Sequence, residues 1–175
     1  GSFPVSGPLF GRHGGHTTCM EFESDEGTIL FDAGSGLREA GNRLAGGEPK
    51  HIHLFVTHTH WDHIQGFPAF VPLYIPGTKM TVYGDKGLGD GLEDLLTGQL
   101  TSGYFPVRWD EIRADVEFVY LDEKPVMIGD AKITRDFTNH PGATLAYKIE
   151  YRDRTTVFMP DNEFLQGYLG APDET

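Results

Sequence analysis

At 175 residues, 38% hydrophobic and 23% charged, the chain is long enough for one domain with a sizeable core and has an ordinary soluble composition. A formal net charge of −12 argues against a broad basic surface for nucleic acid or anionic membrane, although bound divalent cations can invert the field at one spot. No apolar run approaches a membrane span, no signal pattern opens the chain, and the single Cys19 excludes an internal disulfide, so the expectation is a cytoplasmic protein.

The stretches "TTCMEFES" and "TILFDAGSG" predict two strands joined at the turn "DEG". Cys19 falls in the first and is expected to act as a small buried hydrophobe. "GLREAGNRLAGG" predicts a helix with Leu37, Ala40 and Leu44 on one face and glycines at its end. "HIHLFVTHTH" carries a continuous apolar run, as a strand covered on both faces requires. "DHIQGFPAFVPLYIPG" starts as a short helix that Pro68 and Pro72 break. "KMTVYG" is a further strand, and "GLGDGLEDLLTGQL" suits a short helix. "TSGYFPVRWDEI" reads as a loop. Later strands are "VEFVYL", "VMIGDAKITRDFTNH", "ATLAYKIEY" and "TTVFMPD", with "YRDR" turning between the last two. Glycines and prolines are dispersed without a period, which excludes a repeat array. The expectation is one domain over residues 1–175, an α/β sandwich of two mixed sheets with outer helices rather than a doubly wound nucleotide fold.

"HTHWDH", residues 58–63, concentrates chemistry. His58 and His60 are two apart, so on a strand their side chains leave the same face. Asp62 and His63 follow where the chain starts a helix. Imidazole and carboxylate suit zinc, iron or manganese, and the shortage of thiols excludes a cysteine-type structural site. Donors pointing two ways within six residues can serve two metals roughly 3.5–4 Å apart. The plainer reading of Asp62 is a helix cap. It leaves the histidines unexplained, five of the eight lying between His51 and His63. His51 and His53, earlier in the strand, are expected to be ordinary polar residues. His140 in "TNHPG" and Asp161 in "FMPDNE" each close a strand and are candidate distant ligands; alone, each reads equally as a loop or turn residue.

The motif H-x-H-x-D-H after a strand resembles the metallo-β-lactamase superfamily. "FPVSGP", "GGHTTC", "LFDAGSGLREAG", "THTHWDHIQGFPAFVPLYIPG" and "NHPGATLAYKIE" are similar to its branch of phosphoribosyl cyclic phosphodiesterases and tRNA 3′-processing endonucleases. The resemblance implies an αββα sandwich and two divalent metal ions, zinc first, with manganese or iron as alternatives. It implies His58, His60 and His140 on one metal, Asp62 and His63 on the second, and Asp161 bridging. Asp32 would orient a ligand histidine; its simpler reading is a turn aspartate. His16 stands where related sequences commonly have asparagine and is a candidate to face the site. The family supplies a further histidine beyond the bridging aspartate and a strand before "GSFPVSGP". No histidine follows His140 here, so the chain is read as a fragment incomplete at both ends, with exposed sheet edges that a second copy could pair with.

The function implied is hydrolysis of phosphodiester bonds in small cyclic or nucleotide-like substrates through a metal-activated hydroxide, with Asp62 or Asp161 taking its proton. Long duplexes fit poorly for want of a basic track, and Lys86, Arg108 and Lys124 are read as ordinary surface. Alternatives are a non-catalytic or incomplete metal-binding domain and a β-lactam or other ester or amide hydrolase. A flavodiiron oxidoreductase typically has glutamate where His60 stands. The loop 84–110 is expected to choose the substrate, with Tyr104, Phe105 and Trp109 either stacking on a base or packing.

Overall fold

The computed structural model describes residues 2–24, 27–47, 51–87 and 91–163. β1 (Met20–Ser24) and β2 (Gly27–Phe31) pair antiparallel, and of the expected turn only Gly27 lies among the described residues. From β2 the chain crosses through α1 (Gly36–Leu44) to β3 (His51–Phe55), which lies parallel to β2 with Leu30 opposite Leu54. A single turn, α2 (Trp61–Ile64), and two 3-10 segments at the prolines return it to β4 (Lys79–Asp85), again parallel. α3 (Leu92–Thr97) leads to β5 (Asp115–Leu121), parallel to β4. The helix expected over "GLGDGLEDLLTGQL" is therefore shorter, and Leu88, Gly89 and Asp90 lie outside the described residues.

The second sheet is antiparallel: β6 (Val126–Ile128), β7 (Ala131–Phe137), β8 (Leu145–Tyr151) and β9 (Arg154–Phe158). The run expected as one strand from Val126 is two, because Gly129 (φ 54°) enters the left-handed region and turns the chain back on itself. Arg152 and Asp153 make the two-residue turn expected between β8 and β9, with Arg152 at φ 54°. The first sheet is mixed and the second wholly antiparallel among the described residues.

Alternation within the parallel strands divides the core. Leu30, Ile52, Leu54, Met80 and Val82 face the helices, where Leu37 and Ala40 of α1 and Leu92 and Leu96 of α3 cover them. Ile29, Phe31, Phe55 and Tyr83 face the second sheet and meet Ile133, Leu145, Tyr147 and Ile149. Each fully buried side chain of this size contributes about 1.5–3 kcal/mol. Leu44, the third expected α1 contact, is partly buried against the helix-side cluster. Cys19 precedes β1 and packs partly against the same cluster. Burial, with Asp32 and Glu21 nearby, pushes its thiol up to about 12, so it stays protonated and inert.

His51 and His53 open β3 at the end away from His58 and His60. His51 Nε2 lies 2.9 Å from Thr81 Oγ1, and His53 Nδ1 lies 3.1 Å from the Tyr83 hydroxyl. His53 is 8% exposed, and burial, helped by the His51 charge, lowers its pKa to about 4. An unfolded histidine takes a proton near pH 6.5, so the unfolded state binds more protons between about pH 6.5 and 4. Stability from this residue is therefore full above that window and falls as pH drops through it, by an amount on the order of 3 kcal/mol. Urea unfolding of the metal-free chain from pH 7 to 4 should show a shallower decline for His53→Gln than for the parent; equal slopes would contradict this account.

Candidate metal centre

Four segments meet around the C-terminal ends of the parallel strands. Beyond β3, Val56 N–H donates to Tyr83 O, and the chain then leaves the sheet through Thr57, His58 and His60 into α2. The turn after β2 is stitched to α2: Ala33 N–H donates to His63 O and Gly66 N–H to Ala33 O. Gly66 is required there, since a Cβ would lie 2.0 Å from Gly34 O. The β7–β8 connection carries His140 and is closed by Thr138 N–H to Thr144 O. Leu145 N–H to Thr57 O and the Tyr147 hydroxyl to Val56 O fasten that connection to the end of β3. Asp161 follows β9, and Glu163 N–H to Asn139 O holds its segment against the His140 loop.

The result is a convergence of donor atoms. One atom from each of His58, His60, His140 and Asp161 lies within 4.8 Å of the others. His60 Nδ1 stands 2.9 Å from His58 Nε2 and 3.2 Å from His140 Nε2. Asp161 Oδ2 stands 3.6 Å from His58 Nε2 and 3.4 Å from His140 Nε2. The same Oδ2 is 3.5 Å from His63 Nε2, which lies 3.5 Å from Asp62 Oδ2. One carboxylate oxygen is thus shared between a three-histidine group and an Asp62–His63 group.

The ring orientations are fixed from behind. Asp32 is fully buried, and its carboxylate accepts from Thr57 N–H (2.8 Å) and from the Thr57 hydroxyl (2.9 Å). Its Oδ2 lies 2.7 Å from His63 Nδ1. A carboxylate only accepts, so His63 Nδ1 carries the proton and Nε2 keeps its lone pair for a metal. The Thr57 hydroxyl donates to Asp32, so at 3.1 Å its oxygen accepts from His58 Nδ1–H, and His58 Nε2 is freed likewise. Burial opposes charge on His63, but Asp32, Asp161 and Asp62 outweigh it and raise its pKa. Burial and the surrounding histidines lower His58 to about 3, leaving it a neutral donor at ordinary pH. His140 Nδ1 lies 3.4 Å from Glu163 Oε1, which supports the third ring.

These residues fit a divalent ion. Metal–nitrogen bonds of ~2.0–2.1 Å in a tetrahedron set ligand atoms roughly 3.3 Å apart. Four of the six gaps among His58, His60, His140 and Asp161, 2.9 to 3.6 Å, straddle that value, and all six lie within 4.8 Å. Removing the Thr57 hydroxyl tests the support. Thr57→Val keeps shape but frees the His58 ring and strips one bond from Asp32. Zinc affinity by competition with a chromophoric chelator should fall about tenfold, and an unchanged affinity would show that the hydroxyl does not orient His58.

Asp32, read in the sequence as the candidate orienting carboxylate, lies behind His63. Thr57 and Glu163 were missed: a threonine closing a strand and an acid in a loop carry no signal in one dimension. His16 lies outside the cluster, its Nδ1 3.2 Å from Ser35 Oγ. Trp109 packs, partly buried, against the helix-side core with Phe67 at 6.4 Å between ring centroids. Tyr104 is 86% exposed, and Phe105 is half-buried against the same core. Lys86 and Lys124 are exposed, and Arg108 is exposed beside Asp110 and Glu111.

A family profile for the beta-lactamase superfamily domain matches residues 27–172. The chain belongs to that family. Ribonuclease Z of Haloarcula marismortui is 28% identical over 160 residues, covering 90% of this chain and 48% of its own. Ribonuclease BN of Cronobacter sakazakii is 32% identical over 133 residues, covering 73% and 40%. The chain thus spans about half the length of these relatives or less. Among solved structures, the metallo-beta-lactamase fold protein YhfI from Bacillus subtilis superposes with a TM-score of 0.64 at 21% identity, covering 95% of this chain and 60% of its own. A diphosphatase from the PhnP family gives 0.52 at 22% identity, covering 75% and 47%. Both likenesses show the metallo-β-lactamase fold for this member of the superfamily. Among the described residues no helix is long and apolar enough to cross a membrane.

Proposed function

We propose that this chain forms the metal centre of a two-metal hydrolase acting on phosphodiester bonds in small cyclic or nucleotide-like substrates. The observation that carries the reading is Asp161 Oδ2, 3.4 to 3.6 Å from ring nitrogens of His58, His63 and His140. A carboxylate oxygen placed between two donor groups suits a bridge between two cations and has no packing use. His58, His60 and His140 would hold one ion, Asp62 and His63 the second. Two bound ions, zinc first in order with manganese and iron as alternatives, would acidify a water toward neutral pH and offset the charge of a phosphodiester.

The chain's own part is to place donors and to take up a proton. Asp62 and Asp161, with side chains 17% and 29% exposed, reach both the cluster and solvent, so either can accept a proton and pass it out. The Asp32 carboxylate is committed to Thr57 and His63 and takes no part in that transfer. With a net charge of −12 the protein repels anions at range, so substrate attraction falls to the centre itself. Relatives named ribonuclease support phosphorus over carbonyl carbon as the electrophile.

The test is turnover of bis-p-nitrophenyl phosphate with and without added zinc or manganese, beside a β-lactam and a p-nitrophenyl ester. Metal-dependent cleavage of the diester alone is the expected result. Cleavage of the lactam or ester instead would move the reading to amide or ester hydrolysis, and no turnover with metal bound would favour a non-catalytic domain.

A further inference from the structure

The carboxylate that the centre shares is carried by a segment without secondary structure. β9 ends at Phe158, opposite Tyr147, and Asp161 lies beyond that last pair. Among the described residues, the hydrogen bonds that hold residues 159–163 all run to Asn139. Its backbone N–H donates to Asn162 Oδ1 (3.1 Å), its carbonyl accepts from Glu163 N–H (2.7 Å), and its side-chain amide donates to Glu163 O (2.6 Å). Asn139 thus commits both backbone groups and its side chain to the two residues that follow Asp161. An asparagine that merely closes a turn bonds within its own loop. His140, by contrast, has support of its own. Its N–H donates to Thr138 O, Thr138 N–H donates to Thr144 O, and Leu145 N–H donates to Thr57 O. That loop is closed on itself and fastened to the end of β3, and the Asp161 segment hangs from it. The Glu163 carboxylate, 3.4 Å from His140 Nδ1, adds one contact in the same direction.

We propose that Asn139 is a positioning residue for the metal centre: through Asn162 and Glu163 it sets the place of the Asp161 carboxylate between the two donor groups. The inference deepens the two-metal reading and rests on it for the role of Asp161. A functional constellation must be held within about 0.5 Å of its working geometry, and a carboxylate shared by two ions meets that demand twice. Sheet pairing cannot supply this, since it stops at Phe158. Without Asn139 the segment samples many conformations, and the cost of ordering it falls on metal binding.

Zinc titration against a chromophoric chelator, on the parent and on Asn139→Ala/Asn162→Ala, tests it. The double substitution removes both side-chain bonds and leaves the backbone bond. Asn139 is exposed and Asn162 partly so, and the metal-free melting temperature should hold. The second equivalent of zinc should bind about 10–100-fold more weakly. Asn162→Asp alone keeps the acceptor for Asn139 N–H and should retain parental affinity, whereas Asn162→Ala alone should lose affinity severalfold. In an Asp161→Ala background, where three histidines keep one zinc, the double substitution should weaken that ion no further, because the group it positions is gone. Amide exchange at Glu163 in the metal-free chain should quicken severalfold in the double variant. Parental zinc affinity in the double variant, a loss that adds in full to that of Asp161→Ala, or an unchanged Glu163 exchange rate would overturn the proposal. Two equivalents in the parent and in an unaffected double variant overturn the positioning role alone. A parent that binds no zinc removes the two-metal reading and the role of Asn139 with it.

Discussion

Asp161→Ala is expected to lower diester turnover by at least about 10³-fold, roughly 4 kcal/mol at 1.36 kcal/mol per decade. The size follows from the position of one atom. Oδ2 lies within 3.6 Å of His58, His63 and His140 nitrogens, so its loss removes a ligand from both donor groups together. The remaining groups are three histidines on one side and the Asp62–His63 pair on the other. The first retains a usable set, and the second drops to two protein ligands. Bound zinc, measured on the purified variant, should fall from two equivalents to one or fewer. Because the Asp161 side chain is 29% exposed, its truncation leaves no buried unpaired partner, and the metal-free melting temperature should barely move. An Asp161→Ala protein with full metal content and parental turnover would show that the carboxylate is an ordinary turn residue.

Asp32→Asn should act on the second metal site from behind. Asp32 sits at φ 63°, a left-handed conformation that asparagine also tolerates, so the substitution isolates chemistry from backbone strain. The carboxylate now accepts from three donors: Thr57 N–H, the Thr57 hydroxyl and His63 Nδ1–H. An amide must turn its NH2 toward one side. If it faces His63, the Nδ1 proton is displaced to Nε2, the atom that faces Asp62 and Asp161. If it faces Thr57, two donors meet in a site with no solvent access. Affinity for the second equivalent of metal should fall about 10–100-fold, and the metal-free chain should lose about 1–3 kcal/mol. Long-range proton–nitrogen NMR on His63 reads the tautomer directly. A parental tautomer with unchanged affinity would contradict the orienting role.

How much of this was legible before the structure varied with the kind of signal. The motif from His58 to His63 is dense in side chains that packing does not select, so its chemistry showed in one dimension. His140 and Asp161 became candidates because each closes a strand, and their convergence on His60 is a product of the sheet topology. The two-sided burial of β3 was legible from the apolar run Leu54 to Val56, which stays buried because helices cover one face and the second sheet the other. The break at Gly129 and Asp130 was present as a turn signal and was outweighed by apolar residues on both sides. Thr57 carried no sign of its role, since its hydroxyl matters only with Asp32 beside it. Trp109 took the packing alternative that the sequence left open, because the loop folds back and places that ring against the core.

The central claim is that donors from three segments hold two metal ions around one shared carboxylate. Elemental analysis of the chain purified without chelator, expressed as equivalents per protein, tests it most directly. Two equivalents of zinc, manganese or iron is the predicted result. No bound metal, even after reconstitution with each ion in turn, would contradict it and reduce His58, His60, Asp62, His63, His140 and Asp161 to a polar cluster without a ligand.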